Sequence, residues 1–122
     1  MKILVVDDNV DLLALLTEFL TGCGFNVVSC DSGSAALTQF FDFLPDIVLT
    51  DVVMPGFDGL ELLLKLRVIN PDVRVIVMSG GNRGHADTYL HMAEKLGANA
   101  ILNKPFELSD LLVQLKKLEA DA

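Results

Sequence analysis

Asp7 and Asp8 follow directly on the apolar run Ile3-Leu4-Val5-Val6, where a buried strand ordinarily gives way to turn residues. Charge at such a place needs a partner, because an unpaired buried charge is expensive. Asp51 ends a second apolar run, Ile47-Val48-Leu49-Thr50, and Lys104 ends a shorter one, Ala100-Ile101-Leu102-Asn103. Two like charges about 4 Å apart repel by roughly 4 kcal/mol at an effective dielectric near 20. Three carboxylates brought together therefore need either a proton or a cation among them. Hard oxygen ligands suit magnesium, with manganese as the alternative. No His/Cys cluster offers a zinc site. Lys104 then suits an anion or a phosphoryl oxygen. Ser79 adds a hydroxyl donor, beside Gly80-Gly81 where a ligand can approach the backbone closely. A cation, a lysine and a hydroxyl around one carboxylate suit phosphoryl transfer. The carboxylate is the nucleophile and becomes an aspartyl phosphate. Asp51 is the candidate, because it lies between the acidic pair and the Ser79/Lys104 side.

The elements that must position these residues alternate regularly. The pattern predicts strands over 2–7, 25–30, 46–50, 73–78 and 99–102. It predicts helices over 10–21, 34–43, 59–69, 85–96 and 107–119. Asn9 is a candidate N-cap for the first helix, with Gly22 or Gly24 as its stop, and Asp31 or Ser32 a candidate cap for the second. Five strand–helix alternations imply an α/β fold: a doubly wound, flavodoxin-like five-stranded parallel sheet with helices on both faces. Ligands in such sheets bind beyond the carboxyl ends of the strands, at a topological switch point. In the strand order 2-1-3-4-5 the acids after the first and third strands meet there.

The 122 residues suit one domain, residues 1–122, and 52% of them are apolar. A formal net charge of −8 repels phosphate backbones, which argues against direct nucleic-acid binding and favours cations or a basic partner surface. Every apolar run is interrupted by Lys, Asp, Glu or Gly, so no membrane span is expected, and no cleavage signal opens the chain. A cytoplasmic location follows as an expectation. Cys23 and Cys30 read as ordinary thiols, not a disulfide or a zinc pair. His85 and His91 read as solvated residues, Tyr89 as a packing residue and Val113 as an exposed valine.

Taken in order, Asp7-Asp8, Asp51 with Met54-Pro55 and Gly59, Ser79-Gly80, and Gly97-Ala98 through Lys104-Pro105-Phe106 resemble the receiver domain of two-component response regulators. The resemblance is collinear over the whole chain. It implies a chemotaxis-regulator-like (βα)5 fold and a phosphoacceptor, Asp51, that takes its phosphoryl group from a sensor histidine kinase or a histidine phosphotransfer protein. It implies magnesium bound by Asp8 and Asp51, by Asp7 through water, and by the Val53 carbonyl. Ser79 would be the switch hydroxyl, Lys104 the phosphate-binding lysine, and the Lys104-Pro105 bond cis. The output face would be that of the fourth helix, fifth strand and fifth helix, on a monomer or a phosphorylation-dependent dimer. The chain would be a single-domain regulator or the receiver of a longer protein, and not an enzyme in its own right.

Three features depart from that pattern. Ile101 stands three residues before the lysine, where an aromatic ring is usual. The stretch from Ser79 to Gly97 reads as a few residues longer than usual, with a mobile glycine-rich start. Val53 and Gly81 carry no polar group to position an attacking water, so slow self-dephosphorylation is expected. Two other functions share either the chemistry or the fold. An aspartyl-nucleophile phosphatase places its two acids one residue apart, whereas Asp7 and Asp8 are adjacent. A flavin carrier needs a phosphate loop after the first strand, and Asp7-Asp8-Asn9 would repel a phosphate there.

Overall fold

A computed structural model describes residues 1–54, 56–80 and 86–120. Strands β1 (Lys2–Val6), β2 (Asn26–Cys30), β3 (Ile47–Asp51), β4 (Arg74–Gly80) and β5 (Ala100–Lys104) form one parallel sheet in the order β2-β1-β3-β4-β5. They alternate with helices α1 (Val10–Gly22), α2 (Gly33–Phe43), α3 (Gly59–Ile69), α4 (Ala86–Lys95) and α5 (Leu108–Ala120). The α/β class and strand order are those expected from the sequence.

Two cores form because successive strand residues point to opposite faces. Ile3, Val5, Leu49, Ile76, Met78 and Leu102 face α1 and α5, where Leu16, Leu20, Leu111 and Leu115 complete one layer. Leu4, Val6, Val48, Val75 and Val77 face the other side, against Phe40 of α2, Leu63 and Leu66 of α3 and Ala93 of α4. Continuous apolar strands are what a sheet covered on both faces requires.

The caps follow local chemistry. Asn9 Oδ1 accepts from the Leu12 amide at 3.1 Å, and Ser32 Oγ from the Ala35 amide at 3.1 Å. Asp58 Oδ1 accepts from the Glu61 amide at 3.0 Å and starts α3. Each satisfies an amide that the first helical turn leaves unpaired. Gly24, at φ 95°, turns the chain from α1 towards β2. Both cysteines are free thiols, Cys23 exposed and Cys30 buried.

Two strands run about two residues beyond their expected ends, and both extensions matter for the site. β4 continues through Ser79 and Gly80, and β5 through Lys104, because these ends pair with each other, Ser79 with Asn103 and Gly80 with Lys104. Ser79 is thus a strand residue and not the first residue of a loop. Most of the glycine-rich segment expected to be mobile, residues 81–85, lies outside the described residues, as do His85 and the side chain of Tyr89. His91 and Val113 are exposed.

Candidate phosphoacceptor site

The site is a product of register. β1 pairs with β3 so that Val6 lies opposite Thr50, which sets Asp7 beside Asp51 at the carboxyl edge. Asp7 extends the ladder by one bond, its amide donating to the Cys30 carbonyl at 3.1 Å. β2 and β3 flank β1 on opposite sides, so this edge is the switch point of the sheet.

Carboxylate oxygens of Asp7, Asp8 and Asp51 lie within 4.8 Å of one another. Asp7 is fully buried and Asp51 nearly so, while Asp8 is exposed. Asp7 Oδ1 accepts from the Asn9 amide at 2.9 Å, which turns the chain into α1. On the other side, Lys104 Nζ donates to Asp7 Oδ2 at 2.7 Å and stands 3.5 Å from Asp51 Oδ2. One ammonium therefore serves two of the three acids, Asp7 and Asp51, and leaves Asp8 to solvent. Burial drives the Asp51 carboxyl up to about 6; Lys104 opposes that shift, Asp7 and Asp8 add to it, and the Val53 amide opposes it again. A carboxylate costly to ionise alone becomes a ready ligand once a cation arrives.

The donor set fits a hard divalent cation. It consists of carboxylate oxygens carrying more negative charge than Lys104 cancels, around a cavity of about 170 Å³ that Val53 and Gly80 help to line. No thiol or imidazole joins this cluster among the described residues. Gly59 lets the start of α3 lie against the end of β3, since a Cβ there would fall 2.0 Å from the Asp51 carbonyl oxygen.

Ser79 stands apart. By strand alternation it shares the face of Val75 and Val77, whereas Asp51, Asp7 and Lys104 continue the face of Leu49, Val5 and Leu102. It is buried and does not line the acidic cavity; its neighbour Gly80 does. Ile101 lies on that same second face, paired with Val77. The Lys104-Pro105 peptide bond is cis, as the resemblance implied.

The sequence reading saw Asn9 only as a cap, yet it lines the acidic cavity and a second, larger groove. That groove, about 380 Å³, opens beside Lys104 and is walled by Leu12 and Leu15 of α1 and by Pro105, Phe106 and Leu108. Leu15, which helical spacing places on the apolar face of α1, is half-exposed in the structure, and Val10 is largely exposed.

Residues 3–116 match the response regulator receiver domain. The chain belongs to that family. Among curated relatives, this receiver is 34% identical over 116 residues to sporulation initiation phosphotransferase F of Bacillus subtilis, covering 95% of this chain and 91% of that one. It is 37% identical to the transcriptional regulatory protein PrrA of Mycobacterium tuberculosis, over 96% of this chain but only 49% of the relative. The receiver thus spans about half the length of that regulator. Among solved structures, the receiver domain of NtrX from Brucella abortus superposes with a TM-score of 0.89 at 29% identity, covering 98% of this chain and 99% of that one. The protein is a receiver-domain phosphoacceptor with an acidic pocket of Asp7, Asp8 and Asp51. Membership implies a histidine kinase or phosphotransferase as partner. No described helix is long and apolar enough to cross a membrane.

Proposed function

We propose that this receiver is a phosphorylation-controlled switch in which Asp51 takes a phosphoryl group from the phosphohistidine of a sensor kinase or phosphotransfer protein. The observation that carries the reading is the cluster of three carboxylates, two of them sharing a single lysine, with Asp51 in the wall of the cavity. An Asp51 carboxylate oxygen attacks phosphorus, the phosphorus–nitrogen bond breaks, and its electron pair leaves with the imidazole. Asp8, Asp51 and the Val53 carbonyl would hold magnesium, with Asp7 acting through water. The ion supplies charge neutralisation for the equatorial phosphoryl oxygens. Lys104, already 3.5 Å from Asp51, is placed to exchange its bond with Asp7 for one with the incoming phosphoryl group.

The apolar groove beside Lys104 supplies a footing for the donor helix, and the net charge of −8 favours a basic rim on that partner. Ser79 and Ile101 share the opposite sheet face, so the response to phosphate passes from Ser79 through backbone and packing around α4, β5 and α5, without an aromatic side chain at position 101. The output partner recognises that surface on a monomer or a phosphorylation-dependent dimer. The receiver does not bind nucleic acid itself and turns over no small phosphate esters.

Incubation with acetyl phosphate or beryllofluoride tests this directly. The intact chain is expected to incorporate the group only with magnesium, and Asp51→Asn not at all. Absence of any magnesium-dependent labelling would refute the reading. Since Val53 has no polar side chain and Gly81 no side chain, the phosphorylated chain is expected to persist for minutes or longer. A half-life of seconds with magnesium would show that another group positions the water.

A further inference from the structure

The first turn of α2 runs against the loop that leaves Asp51, and Gly33 is where the two touch. A Cβ placed on Gly33 would lie 2.3 Å from Phe57 Cδ1 and 2.5 Å from the Phe57 carbonyl oxygen. The ring could rotate away from a new methyl group. The carbonyl is backbone and moves only if the loop moves. Gly33 does not have the positive φ that calls for glycine, and glycine is a poor helix former. What it contributes at this position is room.

The loop is fastened at both of its ends. The Val52 amide donates to the Met78 carbonyl at 2.8 Å, and the Gly59 amide to the Val52 carbonyl at 3.0 Å. Met54 is buried in the core between the sheet and α3. Phe57 packs against the same core, with the Lys65 ammonium 5.7 Å from the centre of its ring. Gly33 belongs to a different element, and its contact limits how closely the loop can approach α2. Val53 lies in that loop and lines the acidic cavity.

We propose that Gly33 is a positioning residue for the cation site: by leaving space for Phe57, it seats the β3–α3 loop so that Val53 stays in the cavity wall beside Asp51. The inference rests on the reading of that cavity as a divalent-cation site. Residues that orient a metal's ligands without touching it commonly change affinity by about tenfold or more when replaced.

Manganese titration of the intact chain, read from the electron paramagnetic resonance of the free aqua ion, tests this without any phosphoryl donor. Gly33→Ala is expected to weaken binding by about tenfold. Phe57→Ala, which adds no clash but removes the side chain seated between Gly33 and Lys65, is expected to weaken it less, in the same direction. Ser32→Ala deletes the cap of the same helix end and is expected to lower the melting temperature while leaving affinity unchanged. Wild-type affinity in either Gly33→Ala or Phe57→Ala overturns the proposal. So does a loss in Ser32→Ala equal to that in Gly33→Ala, which would show that any loosening of α2 suffices. Should Gly33→Ala fail to fold, Phe57→Ala set against Ser32→Ala decides the matter alone. Failure of the unaltered chain to bind manganese would overturn the cation-site reading itself.

Discussion

At the amino end of the sheet, the Arg67 guanidinium donates to the carbonyls of Val73 and Gly97 and to Asn99 Oδ1. Asn99 Oδ1 also accepts from the Val75 amide at 2.8 Å, so one charge ties α3, β4 and the α4–β5 turn together. Gly97, at φ 93°, leaves the guanidinium room, since a Cβ there would sit 3.2 Å from Arg67 Nε. At the carboxyl end, Asp7, Asp8 and Asp51 cluster around a single ammonium that meets only Asp7 and Asp51. Both ends hold charged side chains near the edge of a packed core. At the amino end every Arg67 bond goes to a neutral acceptor already in place, and the charge works as a fastening. At the carboxyl end the charges are alike and outnumber the one lysine that meets two of them. The contrast separates charge that stabilises from charge held ready for chemistry.

Removing the fastening is the harshest test of that contrast. Arg67→Met takes the donor from the Val73 and Gly97 carbonyls, leaving Asn99 Oδ1 only its bond from the Val75 amide, and is expected to cost about 3 kcal/mol in unfolding free energy. Manganese affinity should stay that of the unaltered chain; a large loss there would show that the two ends are coupled. The opposite sign is expected at the other end. Burial raises Asp51 to about 6, so without divalent cation Asp51→Asn should stabilise the chain by about 2 kcal/mol at neutral pH.

The pH dependence follows from the same shift. The folded state binds the Asp51 proton more tightly than the unfolded state, so this group's contribution is fully present below the ordinary carboxylate value and lost as pH rises through about 6. The gap between the variant and the intact chain should therefore close as the solution is acidified towards pH about 4. Magnesium at about a hundred times its dissociation constant adds about 2.7 kcal/mol to the intact chain and should reverse the order of the two. Denaturant unfolding at several pH values, with and without magnesium, checks both statements. The smallest effect belongs to Leu44, which closes α2 in the left-handed region at φ 51° and is largely exposed. Leu44→Gly should raise stability by up to about 1 kcal/mol and leave cation affinity untouched, as expected for a purely structural end of the sheet.

Much of this was legible in the chain. Asn9 and Ser32 announce helix starts, because capping needs only a short side chain and the amides that follow it. The apolar runs ending at Val6 and Thr50 place Asp7 and Asp51 at strand ends, and the alternation of elements places those ends on one edge. The boundary of β4 was not legible, since Ser79-Gly80 has turn chemistry in isolation and stays in the sheet only because β5 pairs with it. Gly33 gave no local signal either, as Phe57 lies 24 residues away, and of the carbonyls that Arg67 meets only Val73 is near in sequence, Gly97 lying 30 residues away.

The sequence by itself determined the element order, the strand ends that carry charge, and the chemistry those charges permit, because strand periodicity, caps and like-charge repulsion act locally or follow from connectivity. Tertiary structure alone decided that Lys104 bonds Asp7 more closely than Asp51, that Ser79 lies on the opposite face from the acids, and that Asp51 is raised to about 6. Each of these turns on register and burial across non-adjacent segments. A one-residue change in either reverses a side chain's face or its cost of ionisation.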